Sequence, residues 1–186
     1  EVIDAAADEA TEGLDAIERA QVERSVAVIN ALYGPPDRLR RLAADLLAHW
    51  DQRKAAMLPQ IESGGKAMIV CATREIAARL YEEIVTQRRA AGDDTWHSDA
   101  IDKGKIKVVY SGTTTDTDPI SRHVRRGHEQ RAIQQRIKKA DDELELVIVK
   151  DMLLTGFDAP SLHTLYDDRP LNGALLMQTL ARVNRT

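Results

Sequence analysis

The sequence predicts an α/β fold: a mostly parallel β-sheet covered by helices on both faces, preceded by an α-helical N-terminal segment. Three observations predict it. Strand-like runs recur at Ala67–Ala72, Lys105–Tyr110, Leu144–Val149 and Leu162–Tyr166; the first is continuously apolar, as a strand buried on both faces should be. Helical patterns of roughly ten residues or more lie between strands, which argues for parallel pairing. The chain has 186 residues, 43% hydrophobic and 30% charged, enough length and apolar content for one sizeable core.

Residues 1–33 read as helical and polar, with Val22, Val26, Ile29 and Leu32 as the apolar set of the later half. Gly34-Pro35-Pro36 ends that segment. Asp37 is placed to cap the next helix, in which Leu39, Leu42, Leu46 and Trp50 recur at helical spacing and dock on a core. Ser63-Gly64-Gly65 breaks the chain before the first strand, where Cys71 reads as a small core residue. Thr73 caps a helix lined by Ile76, Leu80 and Ile84. A polar, threonine-rich loop, Ser111–Pro119, follows the second strand, and a basic helix over about 128–139 precedes the third. Ser111-Gly112-Thr113 and Thr155-Gly156 thus both leave the carboxyl ends of strands, where parallel sheets bind ligands.

Composition narrows the function. No apolar run approaches the roughly 18 residues that a membrane span needs, the start is acidic rather than that of a signal peptide, and a single cysteine excludes an internal disulfide. A reducing cytoplasm and no membrane are expected. The net charge of −4 hides an asymmetry: seven acids against Arg19 in residues 1–19, and seven bases against Glu129 in residues 122–139. A basic stripe on an acidic protein suits local contact with a nucleic-acid backbone or a solvated helix face. No metal-ligand cluster is visible, and His123 and His128 read as surface residues.

Two motifs carry chemistry. In Thr155-Gly156-Phe157-Asp158-Ala159-Pro160 the glycine permits a tight turn, the threonine offers a hydroxyl, and Asp158 can accept from a ribose hydroxyl or anchor an arginine. In the last helix, at about 100° per residue, Gln178, Arg182 and Arg185 share one narrow face and Leu176, Leu180 and Val183 the opposite one. Forked, permanently charged guanidiniums three residues apart suit a terminal phosphate and the charge that develops as it transfers.

Together, GKAMIVCATREIAARLYEEI (65–84), IVKDMLLTGFDAPSLHTLYDDRP (148–170) and LMQTLARVNR (176–185) resemble the second RecA-like lobe of superfamily-2 helicases and translocases, most closely the motor-and-restriction subunit of type I restriction-modification enzymes. The resemblance implies that residues 63–186 form that lobe and that residues 1–62 are a helical segment packing on or leading into it. It implies nucleic-acid-backbone contacts at Thr155 and Gly156, places Ser111 and Thr113 in a loop that often touches the DNA backbone in such lobes, and puts Thr73 and Arg74 where the family also approaches nucleic acid. Asp158 would couple that contact to the nucleotide, and Gln178, Arg182 and Arg185 would face ATP, with Arg182 and Arg185 catalytic. Ala181 stands where many helicases have glycine, and also preserves close packing. The implied cofactors are ATP and Mg²⁺, bound mainly by a partner lobe. The implied partners are double-stranded DNA and the modification and specificity subunits.

The chain begins at Glu1 and stops one residue after Arg185, and is expected to be a piece of a longer protein. It holds no phosphate loop, since Gln60 and Ala67 stand where a glycine and a hydroxyl residue should flank Gly65-Lys66. Asp142-Glu143 follows a basic helix rather than an apolar strand and is discounted as a Mg²⁺-binding pair. With no nuclease site apparent either, the piece alone is expected to be inactive. The competing readings are a lobe of another superfamily-2 helicase, remodeller or repair translocase, and a non-enzymatic α/β module that binds nucleic acid or protein.

Overall fold

The computed structural model describes residues 16–61, 65–153 and 157–170. Two helices come first, α1 (Ala16–Tyr33) and α2 (Pro36–Met57). The alternating part follows as β1 (Lys66–Cys71), α3 (Arg74–Ala90), β2 (Ile106–Val109), a 3-10 turn (Ser121–His123), α4 (Gly127–Lys138), β3 (Leu146–Lys150) and β4 (Leu162–Asp168). The four strands pair in the order β2-β3-β1-β4, all parallel. The fold is α/β and RecA-like.

The apolar run of β1 explains the layering. All six of its residues are buried, and successive side chains point to opposite faces. Ala67, Ile69 and Cys71 enter one core with Ile148 of β3 and Val108 of β2; α3 adds Ile76, Leu80 and Ile84. Met68 and Val70 enter the other core with Val147 and Val149, beneath Ile133 and Ile137 of α4. The step from β1 to β2 runs one way across the sheet, and the step from β2 to β3 runs back. Right-handed crossovers then require α3 and α4 on opposite faces, as the two cores show.

Helix α2 lies beside α3 on the first face and follows β4 from its carboxyl end backward. Arg38 forms a bidentate pair with Asp168, His49 meets the Tyr166 hydroxyl at 2.7 Å, and Arg53 donates to Thr164 at 2.9 Å. Trp50 is 0% exposed, and its Nε1 donates to Glu145 at 2.9 Å. The helix therefore contributes core. Residues 62–64, where the sequence suggests a boundary, lie outside the described residues.

Three local expectations are corrected. Asp37 does not cap α2: the helix begins at Pro36, whose fixed φ and missing N–H suit the first helical position, and Asp37 sits in the first turn. Leu32 is 65% exposed, and Tyr33 packs in its place beside Ile29. His123 is buried at 8% exposure, its ring 4.6 Å from that of Tyr81 in an edge-on arrangement. The basic stretch begins as a 3-10 turn, so His123 points inward rather than along a solvated helix face. Thr73 does cap α3, its Oγ1 accepting from the Ile76 N–H at 3.2 Å.

Trp50→Ala should lower unfolding free energy by about 3–5 kcal/mol, because it empties a filled site and removes a donor from Glu145; urea unfolding followed by far-UV circular dichroism measures it. Burial, and then Arg125, Arg122, His97 and Lys107, push the His123 imidazole down to about 4. The unfolded chain binds this proton near the ordinary histidine value of 6.5, the folded chain only near 4. The contribution is therefore complete above pH 6.5 and is lost as pH falls to 4, on the order of 2–3 kcal/mol. Denaturant midpoints across that window should fall less steeply in His123→Gln than in the parent.

Candidate functional site

At the carboxyl edge of the sheet, β1 ends at Cys71 and hands the chain to α3 through Thr73 and Arg74. The Thr73 hydroxyl donates to Asn30 Oδ1 at 2.7 Å while accepting from the cap N–H, and Asn30 Nδ2 donates to Glu75 at 3.0 Å. Thr73 is thus buried and ties α1 to the start of α3. It offers no hydroxyl to a ligand in this conformation.

Arg74 is turned inward as well. Its Nη1 donates to Asp116 Oδ2 at 2.8 Å and to the Ser111 carbonyl at 3.0 Å, and both ionic side chains are 1% exposed. The same Asp116 oxygen accepts from the Thr113 N–H at 2.6 Å. One buried ion pair therefore shapes the whole turn after β2. Thr73 and Arg74, where nucleic-acid contact is expected, are both engaged in internal bonds in this conformation, each at a junction where backbone groups need partners.

What the pair presents is the turn itself. Ser111 is exposed and Thr113 half-exposed. The Ser111 hydroxyl points at the Met152 sulfur, 3.8 Å away, so the turn after β2 adjoins the segment after β3. Gly112 lies so close to Val124 that a Cβ there would come within 2.2 Å of its Cγ1. Only glycine lets the turn sit this low on the 3-10 segment.

The segment after β3 is held in unusual backbone geometry. Asp151 and Leu153 adopt φ of 47° and 64°, the left-handed region that costs a non-glycine residue about 1–2 kcal/mol. Lys150 meets the Asp151 carboxylate at 2.5 Å and Arg169 approaches it at 3.6 Å. Arg169 also pairs with Asp167 at 2.9 Å, linking the ends of β3 and β4. Asp158 is exposed on the connection to β4, and the preceding Phe157 packs on the second core. Thr155, Gly156, Gln178, Arg182 and Arg185 lie outside the described residues.

The structure thus brings Ser111 and Thr113 to the same edge as the segment leading toward Thr155, and withdraws Thr73 and Arg74 behind them. Asp116, Asn30 and Arg169 are the positioning residues that sequence reasoning missed. Asp116, three residues beyond Thr113 in a turn-forming stretch, carried a signal, because aspartate bonds nearby backbone N–H groups in such turns.

Known proteins share stretches of this sequence. A family model for type I restriction enzyme subunit R domain 3 matches residues 122–186. The HindI endonuclease subunit of Haemophilus influenzae, a type I restriction enzyme, is 38% identical over 172 residues, covering 92% of this chain. The chain belongs to the type I restriction enzyme R-subunit family. A protein named as the MjaIXP endonuclease subunit of Methanocaldococcus jannaschii is 32% identical over 188 residues, covering 100% of this chain. In the R-subunit relatives the matched stretch is a small part, 15% and 16% of their lengths.

Asp116→Ala should leave the R-subunit turn unshaped and the Arg74 charge buried without its carboxylate, costing about 3–5 kcal/mol. Asp116→Asn, which still accepts from Thr113, should cost less. Thermal or urea unfolding of the two variants checks both the size and the order.

Proposed function

We propose that this chain is the second motor lobe of an ATP-driven DNA translocase, within a type I restriction subunit that couples ATP hydrolysis to DNA movement and cleavage. One observation carries the reading: a parallel RecA-like sheet whose carboxyl edge presents the preshaped Ser111-Gly112-Thr113 turn beside the segment running into Thr155-Gly156, in a chain whose relatives are named endonuclease subunits. On this reading Thr155, Gly156, Ser111 and Thr113 contact the backbone of duplex DNA through hydroxyls and N–H groups, contacts that position without reading sequence.

ATP is held mainly by a partner lobe. On this reading Mg²⁺ accompanies the nucleotide on that partner. Asp158 and Gln178 contribute to the nucleotide side of the cleft. When the lobes close, Arg182 and Arg185 meet the γ-phosphate and offset the charge of its transfer to water. Hydrolysis releases them, and the turns on the DNA shift along its backbone. The modification and specificity subunits supply site recognition, and the assembly works in the cytoplasm.

In the full-length subunit, Arg185→Ala should reduce DNA-stimulated ATPase by about 10³-fold or more, with folding unchanged by circular dichroism. Hydrolysis at the parental rate would overturn the assignment.

A further inference from the structure

A cavity of about 620 Å³ lies between α3 and β2, an outermost strand of the sheet, and shares no lining residue with the carboxyl-edge turns. Four cations line it, Arg89, Lys107, Arg122 and Arg125, against two carboxylates, Glu82 and Asp99. The cations are not equivalent. Arg122 is neutralised by Glu82 at 3.0 Å and Asp118 at 2.8 Å, and Arg89 by Asp94 at 3.1 Å. Arg125 instead donates to the carbonyls of Arg122 and Val124, at 2.7 and 3.1 Å. Lys107 donates to those of Ser98 and Ala100, at 2.6 and 2.7 Å. Carbonyls orient a cation but leave its charge in place.

The bonding itself is not peculiar to this cavity, since Lys66 Nζ likewise donates to the carbonyls of Asp142 and Leu144, at 2.8 and 2.6 Å. Arg74 and Arg136 each have a carboxylate within hydrogen-bond reach. Lys66, another deeply buried lysine, is pushed down by burial but has Asp142 as its strongest charged influence. Lys107 is pushed down to about 8 by burial and then by Arg136 and Arg125, with Asp99 and Asp102 opposing. Among the lining residues cations outnumber carboxylates four to two. The wall is also suited to a flat body: Tyr81, Val85 and Val108 line it, and Tyr81 is braced by His97 at 2.7 Å and by the His123 ring. The volume falls in the range of small-molecule sites and exceeds what a bare anion fills.

We propose that this cavity is a second ligand site of the lobe, taking a phosphate-bearing ligand of nucleotide size, with Arg125 and Lys107 at the phosphate and the Tyr81–Val108 wall against the base. The phosphate belongs either to a free nucleotide or to a DNA end. The forked Arg125 side chain has donors to spare beyond the one given to the two carbonyls.

The test uses the full-length subunit with its motor site saturated by a non-hydrolysable ATP analogue. AMP, and separately a short duplex with or without a 5′-phosphate, is titrated calorimetrically into the parent, Arg125→Gln and Thr86→Trp. Thr86 is exposed at the cavity lining, so tryptophan there blocks the space without removing any described bond. Both variants should weaken the AMP event by about tenfold or more, with DNA-stimulated ATPase at the parental rate. Loss confined to the 5′-phosphorylated duplex would support the DNA-end source. Unchanged affinity for both probes in Thr86→Trp would overturn the proposal, whatever Arg125→Gln does. The motor reading is judged separately, by the ATPase of Arg185→Ala.

Discussion

The rest of this structure depends on the burial of β1 from both sides. Six consecutive residues have no solvent face, so neither side of the sheet can be left open. Helix α3 must cover one side and α4 the other, and the crossovers that put them there send the turns after β1, β2 and β3 to a single edge. The proximity of Ser111 to Met152 is a consequence of that packing. α2 completes the first face, where β4 would otherwise be only partly covered, and its polar residues hold β4 by its exposed groups.

Charge is handled in two ways. Two arginines buried for architecture each have a carboxylate: Arg74 has Asp116, and Arg136 has Asp142 while also serving the carbonyls of Ile101, Lys103 and Gly104. Such pairs add little net stability, since desolvation opposes attraction, but they specify where loops go. Arg136 accordingly belongs to the interior, although in sequence it looks like one more member of a basic stripe. Where cations converge on the cavity beside β2, Arg125 and Lys107 are held by backbone carbonyls instead.

The two sites address different chemistry. The carboxyl edge presents hydroxyls and N–H groups from short turns, suited to a backbone that must be held and released. The cavity presents fixed charge beside an apolar wall, suited to a ligand that stays. The left-handed Asp151 and Leu153 lie on the edge side, where Arg169 ties the ends of β3 and β4. Backbone strain of this kind gathers where a segment has a mechanical task.

By itself the sequence determined the parallel α/β class, the strand and helix order, the cap at Thr73 and the family. Each of these rests on local or periodic signals: apolar runs, 3.6-residue spacing and short motifs of specific chemistry. Tertiary structure alone decided which polar residues face inward. Thr73, Arg74 and His123 look like surface chemistry in one dimension. They are internal because partners 43, 42 and 42 positions away, Asn30, Asp116 and Tyr81, are brought against them. The direction of a polar side chain is set by what the fold puts beside it, and periodicity carries no record of a partner so far along the chain.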